Sequence, residues 1–186
     1  MLKLLDQLEL EKIHLIGETV GGTIATQFAY DHPERLHTLT TCTSPYKFVG
    51  IDTYLMSHKL VSEKGVAAWV EQTADQRLEP GKSDEAHHRW YIEQMSQTHA
   101  RVVLETLAYL STQDLTDILP QIKTPALILA SEQNAKDNPD RTTAFAEKLA
   151  NGRLVAIPGT SGYVQHSAPE ECVLAWRQFL GEISGE

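Results

Sequence analysis

One segment constrains the fold of this chain more than any other: residues 14–36, HLIGETVGGTIATQFAYDHPERL. The stretch KIHLIG (12–17), which overlaps the start of this segment, is short, apolar and ends in glycine, as is typical of a buried parallel strand. From Val20 to about residue 31 the apolar side chains recur at helical spacing, and the helix must stop before Pro33. The segment therefore predicts a strand, a sharp turn and a helix, in that order.

The rest of the chain repeats this alternation around one helical block. Strands are predicted at 36–44, 125–130 and 153–158, and helices at 2–9, 140–150 and 168–182. Between them, four segments have helical periodicity only: 54–61, 64–78, 83–97 and 100–112. The pattern predicts an α/β fold with about four mostly parallel strands and a helical insertion over about 50–119. We expect residues 1–186 to form a single domain.

Charge and cysteine content exclude several classes of partner. The formal net charge is −9, whereas nucleic acids and anionic membrane surfaces select for basic patches. The chain also lacks a long uncharged apolar run. Its two cysteines, Cys42 and Cys172, are far apart and are expected to be free thiols in a reducing compartment, so we expect a cytoplasmic protein. No cofactor or metal is expected, since adjacent histidines such as His87 and His88 diverge on a helix.

The turn after the first strand has a catalytic spacing. Residues 17–21 read Gly-Glu-Thr-Val-Gly, which is the spacing of a nucleophile elbow, G-x-S-x-G, with Thr19 in place of serine. The backbone amide of Val20 begins the following helix, and a helix N-terminus favours anions. The turn therefore places a hydroxyl beside an anion-binding backbone group.

The chain resembles the α/β-hydrolase fold, in the capped branch of esterases, 3-oxoadipate enol-lactonases and haloperoxidase-like proteins. The likeness is carried by LLDQLELEKIHLIGETVGG, HPERLHTLTTCTS, DILPQIKTPALILASEQN and RLVAIPGTSGYVQHSAPEE. It implies the fold over essentially the whole chain and hydrolysis of an ester or lactone. It also implies that the family's first four strands, and the loop that supplies one oxyanion-hole amide, have no counterpart in this sequence.

The resemblance implies three catalytic positions, and all three carry a different residue here. Thr19 stands at the nucleophile position, Asn134 at the acid position in SEQN, and Gly162 at the histidine position in PGTSG. Asparagine supplies no charge and glycine no base, so a hydroxyl at residue 19 stays protonated. The expected function is a non-catalytic small-molecule-binding or partner subunit. The alternative is a divergent hydrolase or lyase with a rearranged site, acting on a small ester, lactone or carbonyl substrate.

Other residues are candidates to replace the missing groups. His166 is a candidate substitute base, the alternative being a solvated position before the final helix, where Ser167 and Glu170 have capping-box spacing. Asp137 and Asp140 are candidates for the acid, although Asp140 has the position of a helix N-cap. Three further histidines are expected to lie outside the catalytic site. We expect His14 to pack under a helix, and His87 and His88 to lie on the surface of the insertion.

A ligand pocket is expected between the sheet and the helical insertion. A small apolar carbonyl compound is the expected ligand, with Glu18, Val20, Trp90 and Tyr109 as the candidate binding residues. The alternative for the aromatic residues of the insertion, Trp69 and Tyr91 included, is that they pack it onto the sheet. Cys42 is expected to pack in the core rather than to act as a nucleophile.

The first predicted strand also suggests a partner. Without strands before it, strand 12–17 becomes a sheet edge with unpaired backbone groups, which is a template for pairing with another chain. We expect a homodimer, or a partner chain, joined along strand 12–17 and helix 1–11.

Overall fold

A computed structural model describes residues 1–48, 51–82 and 84–185 of the chain. In chain order its strands are β1 (Ile13–Glu18), β2 (Leu36–Cys42), β3 (Ala126–Ser131) and β4 (Gly152–Ile157). The helices before β3 are α1 (Leu2–Gln7), α2 (Val20–Asp31), α3 (Ile51–Leu78), α4 (Glu85–Ser96) and α5 (Ala100–Ser111). After β3 come α6 (Glu132–Asp137), α7 (Thr143–Lys148), α8 (Val164–Ser167) and α9 (Pro169–Ser184).

The strands form one parallel sheet in the order β1-β2-β3-β4. Gly17 pairs with Thr41, and Leu129 pairs with Cys42 on one side and Val155 on the other, so the carboxyl ends of the strands meet at one edge. β3 is buried along its whole length, as expected for a central parallel strand. The predicted α/β fold with a mostly parallel sheet of about four strands is therefore confirmed.

The core forms two layers, one on each face of the sheet. One layer joins α2, α7 and the connection before β3, with Phe28, Leu39 and Phe145 among its buried side chains. The other joins α8 and α9 to the opposite face, through Leu129 and Phe179 among others. Helices on both faces of a parallel sheet satisfy its backbone and bury its apolar side chains.

Helices α3, α4 and α5 pack together over the carboxyl end of the sheet and are called the cap below. α3 is broken at Gly65, which has φ 84° and ψ 172°, so the two predicted segments 54–61 and 64–78 are separate helical pieces. The cap has its own small core, built from Val61, Val66, Trp69, Val70 and Val103. The predicted start of the insertion at residue 50, and that of the third segment at residue 83, lie outside the described residues.

Two local predictions in the second half of the chain are wrong. The final helix begins at Pro169 with Ala168 as its N-cap, because proline is favoured in the first turn, so Ser167 and Glu170 do not form a capping box. Ser167 instead ends α8 and donates to the carbonyl of Tyr163. The predicted helix 140–150 is α7, whose N-cap is Thr142 rather than Asp140. No helix among residues 1–48, 51–82 and 84–185 is long and apolar enough to cross a lipid bilayer.

Candidate functional site

Thr19 forms the turn between β1 and α2 in a strained backbone conformation. Its φ is 46° and its ψ is −114°, a region that β-branched residues rarely occupy. The turn is tight, because an added Cβ on Gly17 would lie 2.5 Å from the carbonyl oxygen of Gly21. The second glycine of the motif, Gly21, has open space, whereas a Cβ on Gly22 would overlap the hydroxyl of Ser44. The backbone is therefore the sharp strand-to-helix turn that the spacing predicts.

A cavity of about 510 Å³ lies between this turn and the cap. Glu18, Thr19 and Val20 line it on the side of the sheet, together with Asn134 after β3. The cap and the loop before α8 contribute the aromatic side chains Trp69, Tyr91 and Tyr163, the cation Arg77 and the apolar side chains Met95, Leu107 and Leu110. The cavity thus has one polar wall at the turn and a largely apolar wall under the cap, as is typical of small-molecule sites.

The hydroxyl of Thr19 lacks a base. Among the side chains that the structure describes, none forms a hydrogen bond with Thr19 Oγ1. The backbone of Thr19 is held firmly, because its N–H donates to the carbonyl of Cys42 at 3.0 Å and its carbonyl accepts from Gly22 at 3.1 Å. The N–H of Val20 is in the first turn of α2 and so has no acceptor within the helix. The turn therefore combines the Thr19 hydroxyl with a backbone donor at a helix start.

The residue next to Thr19 belongs to a hydrogen-bonded chain of three side chains. His166 Nε2 lies 3.2 Å from Glu18 Oε1, and His166 Nδ1 lies 3.2 Å from His87 Nε2. The side chain of His166 is only 14% exposed, and its ring meets that of Tyr91 at a centroid distance of 5.3 Å. The solvated reading of His166 and the surface reading of His87 are both wrong, because α8 turns His166 inward against the cap.

One proton position in this chain follows from the charge of Glu18. The hydrogen bond from His166 holds the pKa of Glu18 below its usual value, against burial, which raises it. With Glu18 ionised, His166 Nε2 donates to the carboxylate, and His166 Nδ1 shares one proton with His87 Nε2. Since Glu18 and His87 use opposite nitrogens of His166, the three cannot converge on one ion. The described residues contain no group of three His, Cys, Asp or Glu placed to hold a metal.

Asn134 lies on a helix that the sequence did not predict. α6 follows β3 directly, with Ser131 as its N-cap accepting from the N–H of Asn134. The side-chain oxygen of Asn134 accepts from the amide of Asn138 at 3.2 Å. Asp137, a candidate substitute acid, is exposed and accepts from Gln133 on the same helix. Asp140 is exposed as well, so neither carboxylate replaces Asn134 in the cavity.

Gly162 is packed under the end of α3. An added Cβ there would lie 2.9 Å from the carbonyl oxygen of Arg77 and 3.3 Å from the side chain of Glu79. The Glu79 carboxylate accepts from the N–H groups of Ser161 and Gly162, at 3.1 and 3.2 Å. Burial raises the pKa of Glu79, but these two N–H groups, the Ser161 side chain and the charge of Lys82 together lower it overall. The cap therefore clamps this loop and leaves no room for a side chain at residue 162.

Several candidate residues lie outside the cavity. Trp90 is 55% exposed and Tyr109 is 57% exposed, and neither lines the cavity, because both lie on the outer faces of cap helices.

His88 lies 3.3 Å from Asp75 across the cap. His14 is exposed on the edge strand, with its ring edge-on to Trp176, rather than covered by a helix. Cys42 is a free, buried thiol, and burial raises its pKa to about 12, so it packs in the core as predicted.

Comparison with known proteins shows similarity to α/β-hydrolases. A family model described as alpha/beta hydrolase fold matches residues 1–73. A protein of Caulobacter sp. (strain K31), whose name describes a carbamate hydrolase, is 28% identical over 206 residues that cover 100% of this chain and 70% of the relative. The pimeloyl-[acyl-carrier protein] methyl ester esterase of Aeromonas hydrophila is 26% identical over 181 residues, 92% of this chain and 71% of the esterase.

This chain has the α/β-hydrolase fold. A solved structure agrees on the fold: the esterase from Exiguobacterium antarcticum superimposes with a TM-score of 0.83 at 16% identity, over 95% of this chain and 69% of the esterase. In α/β-hydrolases the strained turn exposes the nucleophile at the end of its strand. Thr19 has that backbone geometry here, with a different side chain.

Two cavity residues that the sequence did not reveal, Thr73 and Arg77, lie on the cap. They follow Trp69 at a spacing of four on α3, and all three line the cavity. The repeat of four indicates one helix face, but only the position of the cap decides that this face meets the cavity. Tyr163 was missed because it precedes a four-residue helix without a periodic signal.

Proposed function

We propose that this α/β-hydrolase-superfamily protein binds a small carbonyl compound in the cavity under its cap and does not hydrolyse it through Thr19. One observation carries this proposal: Thr19 has the conformation of the elbow nucleophile, while no described imidazole bonds to its hydroxyl. A hydroxyl becomes a nucleophile only when a base takes its proton. The proposed role is that of a non-catalytic binding or partner subunit.

The residues at the other two implied triad positions support the same role. We infer that Asn134 and Gly162 stand at the acid and histidine positions. An amide does not stabilise a charged imidazole as a carboxylate does. The loop that contains Gly162 is closed by Arg77 and Glu79, so a neighbouring imidazole cannot enter at that point.

The carbonyl class of the ligand has two supports. The relatives include proteins named as a carbamate hydrolase and a methyl ester esterase, and both names describe a carbonyl group. The turn offers a carbonyl oxygen two donors, the N–H of Val20 and the hydroxyl of Thr19, at the N-terminus of a twelve-residue helix. Both donors bind a neutral carbonyl without any chemistry following.

A second candidate function rests on the chain Glu18–His166–His87. Glu18 orients His166 as the acid of a triad orients its base, and Glu18 directly precedes Thr19 in the chain. A divergent hydrolase or lyase that uses His166 as its base is therefore the alternative. The first candidate is favoured because both nitrogens of His166 already have hydrogen-bond partners.

Ester hydrolysis separates the two candidates. The wild-type protein, Thr19→Ala and His166→Ala are assayed with p-nitrophenyl acetate and methyl hydrocinnamate. We expect turnover well below about 1 s⁻¹, the low end for ordinary enzymes, and no change with Thr19→Ala. Faster, saturable turnover that Thr19→Ala abolishes would overturn the first candidate. Turnover that is lost only with His166→Ala establishes the second.

Binding is tested with a neutral carbonyl probe and a blocked cavity. Isothermal titration of hydrocinnamamide into the wild-type protein is expected to give saturable binding. Leu107→Trp fills the cavity from α5 and is expected to abolish it, whereas Val102→Trp, on the exposed face of the same helix, is not. Binding that survives Leu107→Trp places the ligand elsewhere and contradicts the proposal.

The remaining proposals concern the partner and the compartment. We propose a second copy of this chain as the partner along β1, supported by the open edge of that strand in the described sheet and by Ile16, which is 52% exposed. We keep the cytoplasm as the proposed compartment, which the free thiols of Cys42 and Cys172 support.

A further inference from the structure

Arg77 is a buried cation in the wall of the cavity. It lies near the end of α3, is only 9% exposed and lines the cavity together with Tyr91 and Tyr163. Arginine is almost never fully buried unless it is paired, because removing its charge from water costs free energy that a partner must offset. The partner of this guanidinium is therefore informative.

The recorded partners of the Arg77 side chain are all neutral. Its Nη1 donates to Thr73 Oγ1 at 2.6 Å, and its guanidinium stands over the Trp69 ring, 4.9 Å from the ring centroid. Among the carboxylates that the structure describes, none lies within 4.0 Å of a nitrogen of Arg77. The nearest acid in sequence, Glu79, accepts from Ser161 and Gly162 instead.

Thr73 and Trp69 hold the guanidinium in place rather than neutralise it. The Thr73 hydroxyl donates to the carbonyl of Trp69 at 2.6 Å and accepts from Arg77, so the three residues form a fixed ladder along α3. A guanidinium has five N–H donors, and the ladder uses one of them. The other donors remain for a molecule in the cavity.

The surroundings of Arg77 suit an apolar molecule with one acidic end. Burial raises the pKa of Tyr91 to about 12, so its hydroxyl stays protonated and is a hydrogen-bond donor beside the cation. Met95, Leu107 and Leu110 of the same cavity are apolar. The Glu18 carboxylate also lines the cavity and disfavours a second negative charge on the ligand.

We propose that the cavity's ligand carries a carboxylate, which Arg77 binds through its free N–H groups with Tyr91 as an additional donor. The inference deepens the proposed function and rests on it: the carboxylate lies at Arg77 while the carbonyl of the same molecule lies at Thr19 and Val20. A planar carboxylate matches the fork of a guanidinium in a bidentate pair. The ligand class is thus an apolar monocarboxylate with a second carbonyl group.

The test compares two probes of the same shape and different charge. Hydrocinnamate and its neutral amide, hydrocinnamamide, are titrated calorimetrically into the wild-type protein. We expect hydrocinnamate to bind about tenfold tighter or more, as for a hydrogen-bonded charge pair. Equal affinities overturn the carboxylate inference and leave the proposed function standing. Failure of both probes to bind counts against the two together.

Variants assign the preference to Arg77. Arg77→Met is expected to reduce the preference for hydrocinnamate to less than about twofold, and Arg77→Lys to keep only part of it, because lysine has no planar fork. Arg101→Gln, on the exposed surface of α5, is the matched control and leaves the preference intact. Arg141 also lines the cavity, at an exposed position, so loss of the preference in Arg141→Gln with Arg77→Met unaffected overturns the assignment.

Thermal unfolding distinguishes binding from a structural role. A cation that only supports the fold makes Arg77→Met less stable than the wild type. If the cation serves a ligand, the ligand-free Arg77→Met protein is as stable as the wild type or more stable. The reason is that a buried charge without a carboxylate partner is replaced by an apolar chain of similar length. The inference is contradicted if Arg77→Met has a much lower melting temperature than the wild type while Arg77→Lys keeps the full preference for the carboxylate. Phenethylphosphonate replaces the carboxylate by a phosphate-like dianion. If it binds tighter than hydrocinnamate, the carboxylate inference is overturned as well.

Discussion

A Cβ atom added to Gly162 would lie 2.9 Å from the backbone carbonyl oxygen of Arg77. Real Cβ atoms are not found so close to a backbone oxygen, so the end of α3 and the loop at residue 162 would have to move apart. The same contact brings the N–H of Tyr163 to within 2.9 Å of that carbonyl, where it donates. The cap and the loop therefore close on each other only because residue 162 has no side chain.

Rebuilding the implied triad is expected to fail at this contact. The triple variant Thr19→Ser, Asn134→Asp, Gly162→His should hydrolyse p-nitrophenyl acetate no faster than the wild type, since the imidazole does not fit beneath Arg77. Gly162→Ala alone should lower the free energy of unfolding by about 1–3 kcal/mol, the usual cost of overpacking. Gly21→Ala is the matched control, because a Cβ there meets open space. A triple variant with enzyme-like turnover would show that the loop adapts.

The strain at Thr19 should be measurable as stability. Its φ of 46° places a β-branched side chain in a sparsely populated region that costs of order 1–3 kcal/mol. Thr19→Gly relieves this strain, and we expect it to raise the free energy of unfolding in urea by about 1 kcal/mol, after the added chain entropy of glycine. Thr19→Ala removes the hydroxyl but keeps the Cβ, so it should gain much less. Equal gains in both variants would mean that the hydroxyl, not the backbone, is the source.

The fold was largely predictable because its signals are local. The strand 12–17, the helix from Val20 and the stop before Pro33 follow from periodicity, glycine and proline, which act within a few residues. The predicted capping box is wrong for an equally local reason, since Pro169 defines the helix start more strongly than Ser167. α6 has six residues, too few for a periodic pattern to appear.

The site was less predictable because it is assembled from distant segments. His166 meets Glu18 across 148 positions of sequence and His87 across 79. No pattern in the neighbourhood of His87 distinguishes it from His88, and one helical position, about 100° of rotation, decides which ring reaches His166. Arg77 likewise reads as an exposed cation at the end of a helix until the loop at Gly162 covers it.

The clamp between Glu79 and the loop predicts a pH dependence. The lowered pKa of Glu79 means that its ionised form stabilises the folded state. This contribution is fully present above the ordinary pKa of a glutamate and is lost as the pH falls through the lowered value. Glu79→Gln should therefore cost about 2 kcal/mol of unfolding free energy near neutral pH and progressively less below about pH 4.

Urea unfolding of Glu79→Gln and of the wild type between neutral pH and about pH 3 measures this difference. The matched control is Glu71→Gln, at an exposed glutamate on α3, which should change little at any pH. A difference between Glu79→Gln and the wild type that stays constant with pH would mean that the side chain acts by packing and not by its charge.

We expect the 186-residue polypeptide to self-associate along β1. β1 pairs only with β2 in the described sheet, so its other edge presents N–H and C=O groups beside the exposed side chain of Ile16. An open strand edge is a template for pairing, so we propose that β1 pairs with β1 of a second copy in a two-fold arrangement. Light scattering at micromolar concentration should give twice the monomer mass. Ile16→Lys places a charge in the seam and should give a monomer, whereas Val102→Lys, equally exposed on the cap, should remain dimeric. A wild-type monomer at this concentration contradicts the expectation, and a dimer that Ile16→Lys does not disturb moves the interface away from β1.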